Sequence, residues 1–340
     1  MQSPIRWGIL GCGDVTEVKS GPGFQLASGS RLTAVMRRNA TLAESYATRH
    51  GVEAWYTDAD ALINDDNVDA VYIATPPGSH LELALKVCAA SKPVYVEKPM
   101  ARNYTECKAM ADAFAAANIP LFTAYYRRAL DRFVHARNVI ANGDIGGVTH
   151  IQIRYACPAK PYTAENLPWR LQAEHAGGGL FLDLGCHTLD IVAFMAGEIV
   201  ESSGFASRMA GPYMVEDTVT LSFKTETGAC GSASWCFAAD RSEDLIEING
   251  TKGRLLITTF GNDPLTVEAG NNMRIYDLPN PVHIQLPMIQ SIVDHLLGHG
   301  LSPSTGTSGA ITSRVMDSAL EEFYGGRADE FWNRPATWKR

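Results

Sequence analysis

The sequence is poor in charge, and poorer in basic charge than in acidic. Lysine and arginine number 29 against 37 acidic residues, the net charge is −8, and charged residues make up only 19% of the 340. No Lys/Arg-rich run occurs, which argues against a surface built to neutralise nucleic-acid phosphates and disfavours an anionic membrane. No apolar run approaches the roughly 20 residues that span a bilayer. The start, Met1-Gln2-Ser3-Pro4, leads straight into a strand pattern, so no signal peptide is expected. Cysteine is sparse and unpatterned: Cys12, Cys88, Cys107, Cys157, Cys186, Cys230 and Cys236 include no CxxC pair. An odd, scattered set suits reduced thiols and points to the cytoplasm. There is no HExxH and no Cys-rich set, so no metal site is expected. Repeats and low-complexity tracts are also missing. A chain of this length exceeds the size at which one core keeps growing, so two domains are expected.

What is present has a clear rhythm. Over the first 124 residues, apolar runs at 5–10, 32–36, 70–74, 94–97 and 121–124 alternate with helical patterns at 41–50, 80–90 and 104–118. Asn39 is placed to cap the first of these helices and Gly51 to end it. Such alternation predicts βαβ units in a parallel sheet, wound right-handed, with ligands at the carboxyl ends of the strands. The Gly21-Pro22-Gly23 step predicts an early break in the helix after the first strand.

Beyond residue 124 the pattern changes to a helical stretch at 129–142 and an alternating run at 150–156. A helix near 186–196 follows, then alternating segments at 199–207, 216–224, 229–237, 244–249 and 253–258, and helices at 289–297 and 311–323. The expected fold class is therefore α/β. A Rossmann, doubly wound parallel sheet spans 1–124, and an α+β domain with a large, mostly antiparallel open sheet spans 125–340, serving substrate binding and oligomerisation. Alternation of Val219, Leu221 and Phe223, and of Ala233, Trp235 and Phe237, predicts an apolar outer sheet face that a second subunit covers in a homodimer or homotetramer.

Three segments carry chemistry. Gly11-Cys12-Gly13-Asp14-Val15 directly follows the first strand, with Thr16 where a dinucleotide fingerprint has Gly or Ala. Glycines there permit a tight turn and let the backbone approach a pyrophosphate; a ligand-free structural turn is the competing reading. Thr75-Pro76-Pro77-Gly78-Ser79-His80 and Glu97-Lys98-Pro99 sit at later strand ends, where a doubly wound sheet holds its ligand. The pre-proline position restricts Lys98 to extended backbone, against the alternative of a solvated surface lysine. The third segment runs from Gly177 to Asp190. If it is one helix, Asp183, His187 and Asp190 share a face, and a His beside a carboxylate can exchange the proton that accompanies hydride transfer at a carbinol carbon. A capping Asp with a core His, or a two-ligand zinc site, are the alternatives.

Together these segments resemble the glucose-fructose oxidoreductase, inositol dehydrogenase and MocA family over nearly the whole chain. The resemblance implies that Gly11, Gly13, Thr75, Pro76, Glu97 and Lys98 hold a nicotinamide cofactor, and that Lys98, Asp183 and His187 form the catalytic set. It implies reversible oxidation of a secondary or anomeric hydroxyl of a sugar or cyclitol. His187 would be general base, Lys98 would stabilise the anionic oxygen, and Asp183 would bind the substrate. Trp169-Arg170 is similar to the family's Trp-Arg pair near substrate and cofactor. Tyr125-Tyr126-Arg127-Arg128 departs from the pattern, since many members have Asn before the Arg pair, and makes Tyr126 a candidate substrate contact.

An NAD enzyme usually places an acidic residue about 20 positions past the glycines, on the ribose hydroxyls. Here Met36 is followed by Arg37 and Arg38, which favours NADP over NAD because a guanidinium pairs with a 2′-phosphate. Solvated arginines are the competing reading. Two other functions fit the same scaffold: a glycoside hydrolase working by transient oxidation and elimination, and a non-catalytic cofactor-sensing regulator.

Overall fold

In the computed structural model, which describes residues 1–339, the chain divides into two compact units, and each is described by itself. The first comprises Met1–Ala101, Glu106–Leu130 and Pro281–Ala310. Its sheet contains β1 (Ile5–Leu10), β2 (Ser30–Met36), β3 (Ala54–Tyr56), β4 (Ala70–Ile73), β5 (Val94–Val96) and β6 (Leu121–Thr123). The order is β3-β2-β1-β4-β5-β6, and every pairing is parallel. This is the doubly wound Rossmann arrangement, whose strand order reverses between β1 and β4. Both sheet faces are covered, so β4 and β5 are buried at every position and appear in the sequence as unbroken apolar runs. Trp7, Phe24, Tyr72 and Tyr95 pack in a row at ring separations of 4.9, 5.1 and 5.0 Å, the first two pairs tilted and the last stacked, and each such pair adds about 1 kcal/mol beyond area burial.

The helix Ala40–His50 forms as its signals predict: the Asn39 side chain accepts from the Leu42 amide, and Gly51 ends the helix at φ 64°. At Gly21-Pro22-Gly23 the sequence predicts a break, and the chain indeed leaves the helix Asp14–Val18. It re-enters a helix at once, Gly21–Leu26, with Pro22 in the first turn where its missing N–H costs nothing. The three-residue β3 and the helix Ala59–Ile63 are too short to leave a periodic trace. The unit also reaches past residue 124: Gln290, on the helix Leu286–Leu297, bonds the amide and carbonyl of Ser28 at 2.7 and 3.2 Å.

The second unit comprises Arg102–Thr105, Asp131–Asn280 and the chain from Ile311 onward. Its strands are β7 (Val148–Pro158), β8 (Ile199–Ser207), β9 (Thr218–Thr225), β10 (Cys230–Ala239), β11 (Glu243–Gly250), β12 (Gly253–Ile257), β13 (Leu265–Ala269) and β14 (Asn272–Tyr276). They order as β14-β13-β12-β11-β7-β10-β9-β8, antiparallel except for the β7–β10 pair. β14 is exposed over most of its length, so no alternation announces it.

One sequence expectation reverses here. Val219, Leu221, Phe223, Ala233, Trp235 and Phe237 do not form an outer face; all are buried within the unit, at 6% exposure or less. Phe181 packs on Trp235 at 4.8 Å, and Thr188, from the helix Cys186–Ala196, meets Thr259 at 3.3 Å. The chain's own helical layer covers these residues. The alternate positions, Thr220, Ser222, Ser232 and Ser234, line a shallow groove on the other face together with Phe205 of β8.

The segment Ala173–Ala196 is apolar enough by composition to cross a membrane, but 72% of its most apolar window is buried. It is interrupted besides. A four-residue helix ends at Gly177, a π turn occupies Phe181–Gly185, and the α-helix begins at Cys186.

Candidate active site

In the first unit, β1 ends at Leu10 opposite Ile73 of β4, and the turns that follow touch. Gly11 sits at φ +88°, and a Cβ there would lie 2.7 Å from the Thr75 methyl and 3.1 Å from its amide nitrogen, so only glycine lets the turns approach so closely. At Gly13 a Cβ would meet nothing nearer than the Gly11 carbonyl, 3.8 Å away. The space above the turn is open at that residue. The amides of Gly11 and Cys12 donate to the Met36 carbonyl at 2.9 and 3.1 Å. Thr16 closes the turn from below: its hydroxyl accepts from the Gly13 amide at 3.0 Å and donates to the Gly13 carbonyl at 2.8 Å. The amides of Asp14 and Val15 open the next helix and have no helical carbonyl to donate to. Burial pushes the Cys12 thiol up to about 11, so a neutral thiol lies within the turn. An open glycine turn with unpaired first-turn amides fits a dinucleotide pyrophosphate, with the Asp14 carboxylate exposed beside it.

Arg37 continues β2 beside this turn, and its Nη1 donates to the Cys12 carbonyl at 3.3 Å; Arg38 is exposed. Thr75 is half-buried, Pro76 exposed and Pro77 buried. His80 is fully buried and lies 2.7 Å from the Thr75 carbonyl and 3.2 Å from the Met100 carbonyl. Burial lowers its pKa, and the ring ties the Thr75 turn to the loop after Lys98 from inside. Glu97 is also buried. Its Oε1 accepts from the Tyr72 hydroxyl and the Gln285 side-chain amide at 2.6 Å each, and its Oε2 accepts from the Lys98 amide at 3.0 Å. The Lys98 backbone is thereby fixed to the sheet while the side chain is half-buried. Tyr126 is nearly buried, with the Arg127 guanidinium 4.9 Å from its ring centre.

In the second unit, the π turn alters the geometry expected for the Asp-His segment. Asp183 lies in the π turn and His187 in the first turn of the α-helix, so Asp183 falls outside the regular 3.6-residue frame that His187 shares with Asp190. Asp190 is buried and accepts from the Thr312 hydroxyl at 3.4 Å. π turns often mark functional sites, where they re-aim a side chain. The Asp183 side chain is 20% exposed and accepts from Arg170 Nε at 3.1 Å, and the guanidinium of Arg170 lies 4.4 Å from the Trp169 ring. His187 is 4% exposed, with Phe260 edge-on at 5.9 Å. Sequence reading missed the groups that surround these residues. Asp244 accepts three consecutive amides, Thr259, Phe260 and Gly261, at 2.9, 2.6 and 2.9 Å, which holds Phe260 in place. The Tyr155 phenol is pushed well above its usual range by burial and then by Cys157, Asp244 and Asp183. Only strand alternation pointed to Tyr155, and nothing local pointed to Asp244.

Comparison with known proteins follows the same division. Residues 5–125 match a family described as "Oxidoreductase family, NAD-binding Rossmann fold", and residues 133–256 match the "GFO/IDH/MocA C-terminal domain". "Oxidoreductase P35" of Formosa agariphila is 36% identical over 93% of this chain and 98% of its own. The chain belongs to the GFO/IDH/MocA oxidoreductase family. The 1,5-anhydro-D-fructose reductase of Ensifer adhaerens, also similar, is 28% identical over 89% of this chain and 92% of its own. Levoglucosan dehydrogenase in complex with NADH shares the fold, with a TM-score of 0.83 at 23% identity over 93% of this chain and 96% of that one. Membership in this family makes the protein an oxidoreductase whose first unit is an NAD-binding Rossmann domain.

Proposed function

We propose that this family member interconverts a secondary or anomeric hydroxyl of a sugar or cyclitol with its carbonyl, using NADP in preference to NAD. The observation that carries the reading is the presentation of Asp183 and His187 on consecutive turns, the carboxylate tethered to Arg170 yet partly open and the imidazole nearly buried. A carboxylate tethered in that way suits binding a polyol hydroxyl, and a desolvated imidazole suits proton transfer. In oxidation His187 takes the hydroxyl proton, the Lys98 ammonium stabilises the developing alkoxide, and Asp183 orients the sugar together with Trp169, Arg170 and Tyr126. The glycine turn with Cys12, Asp14 and Val15, the wall of Thr75, Pro76 and Pro77 braced by His80, and Glu97 with Lys98 would hold the cofactor. When bound, the nicotinamide supplies the acceptor or donor of hydride. NADP is favoured by Arg37 and Arg38 at the end of β2, where no carboxylate follows Met36.

The same reading includes a homodimer or homotetramer in the cytoplasm, with neither nucleic acid nor membrane as partner. All seven cysteines are free thiols, as a reducing compartment keeps them. The test is a panel of sugars and cyclitols assayed for cofactor reduction and oxidation. With the best substrate, Lys98→Ala and His187→Ala are each expected to lower kcat by roughly 10² to 10⁴ while cofactor binding persists. Near-normal turnover in both variants refutes the assignment.

A further inference from the structure

The glycine run that leads into Asp183 is gripped by two buried charged side chains from distant parts of the second unit. Gly177 is at φ +81°, and a Cβ there would lie 2.3 Å from the Arg102 carbonyl oxygen. The Gly177 carbonyl accepts from Arg327 Nη1 at 2.8 Å. Two residues on, the Gly179 amide donates to both oxygens of Glu216, at 2.9 and 3.0 Å, and a Cβ on Gly179 would lie 2.2 Å from the Glu216 carbonyl. The Tyr324 hydroxyl donates to Glu216 Oε2.

Arg327 is fully buried and uses its whole fork. Nε donates to Asp317 Oδ1 at 2.6 Å, and Nη2 donates to the carbonyl of Arg102, four residues after Lys98, at 2.8 Å. Its guanidinium lies 4.3 Å from the Phe331 ring and 4.9 Å from the Tyr324 ring, and the Asn103 side chain donates back to its carbonyl at 2.8 Å. Stripping water from a carboxylate and a guanidinium is costly, and apolar packing would hold two segments together at lower cost. Planar, directional bonding is what the charged pair adds. It is spent on the backbone at the entry to the π turn and on the chain that leaves the Lys98-Pro99 loop.

We infer that Arg327 and Glu216, with Tyr324, are positioning residues for the reaction: they set the backbone of the glycine run and so the aim of Asp183 and His187, without touching substrate. The inference rests on the proposed reading of Asp183 and His187 as reacting groups. It makes the C-terminal segment around Arg327 part of the catalytic apparatus.

Arg327→Lys keeps the charge and loses the fork, Glu216→Gln keeps the shape and loses the charge, and Tyr324→Phe removes one hydroxyl. The full-length variants are compared with the parent by thermal melting, NADPH and NADH fluorescence titration, NMR titration of the His187 imidazole, and steady-state kinetics with the best sugar of the panel. The expected result is cofactor affinity within about twofold of the parent and a kcat lower by roughly ten- to a hundredfold, with a smaller change in KM, the signature of misplaced rather than missing groups. A displaced His187 titration is expected with it, which a role in stability alone would not produce. Parental kcat and an unmoved His187 titration in folded Arg327→Lys and Tyr324→Phe, with His187→Ala inactive, overturn the positioning role alone. Parental turnover in His187→Ala overturns the underlying reading instead. Tyr324→Phe decides the matter if Arg327→Lys does not fold.

Discussion

Arg37 and Arg38 follow β2 in sequence and differ in what they are free to do. Arg37 already donates to the Cys12 carbonyl at 3.3 Å, so its guanidinium is held against the glycine turn, whereas Arg38 is exposed. A phosphate near the turn would meet the first preorganised and the second only after ordering its side chain. Arg37→Ala is therefore expected to lower kcat/KM with NADP by roughly ten- to a hundredfold, and Arg38→Ala by less, with efficiency on NAD nearly unchanged. The ratio of efficiencies with the two cofactors, measured on parent and variants, checks this, and a parent preferring NAD with no response to either change removes the phosphate-reading role. Thr16 illustrates legibility at the same scale. In the sequence it looked like a departure from the fingerprint; in the fold its hydroxyl bonds both the amide and the carbonyl of Gly13, a contact that depends on a turn geometry no spacing rule encodes.

Among the elements, the helix Asp14–Val18 is too short to be stable alone and is tied to the helix Ala40–His50 by Glu17. That carboxylate accepts from Arg49 at 2.6 and 2.7 Å and meets the His50 ring at 2.8 Å. The Arg49 guanidinium, against some opposing burial, and then His50 hold Glu17 down to about 2, from an ordinary 4.5. A carboxyl with a lowered folded pKa contributes stability above its unfolded pKa and loses it as pH falls through the folded one. Arg49 is half exposed, so solvent screening keeps the tie weak. Glu17→Gln is expected to melt below the parent at neutral pH, and the gap should shrink as pH falls below 4.5 toward 2. A gap that stays constant across that range in thermal denaturation would show that the ion pair is not its source. Elements with full turns or inward alternation, such as 5–10, 186–196 and 199–207, were legible to the residue. β3, β14 and the π turn were not, because a three-residue strand, an exposed edge and one extra residue in a helical turn leave no periodic signal.

For the whole molecule, the proposed homo-oligomer must rest on different surface from the one the alternation suggested. With Val219 and its neighbours covered within the chain, the other face of the large sheet offers a shallow groove of mixed character, in which Phe205 lies beside Thr220 and Ser222. On the edge strands of that sheet, Phe205 of β8 and Met273 and Ile275 of β14 are 68, 61 and 62% exposed. Light scattering at micromolar concentration is expected to give two or four chain masses, and Phe205→Glu on β8 to shift the population toward monomer; a monomeric parent ends this part of the reading.

Residue chemistry and periodicity by themselves determined the two sheet classes and the glycine turn, because strand alternation, helical period and turn residues are written within a few positions of one another along the chain; Lys98, Asp183 and His187 were picked out by motif resemblance and stand as a proposed set. Tertiary structure alone decided which sheet face is covered, that residues 281–310 return to the first unit, and that Glu97, Glu216, Asp244 and Arg327 hold the candidate residues in place. Those four act through partners as far as 225 residues away, and a charged side chain in a sequence carries no mark of whether the fold will bury it against a backbone amide or leave it in water.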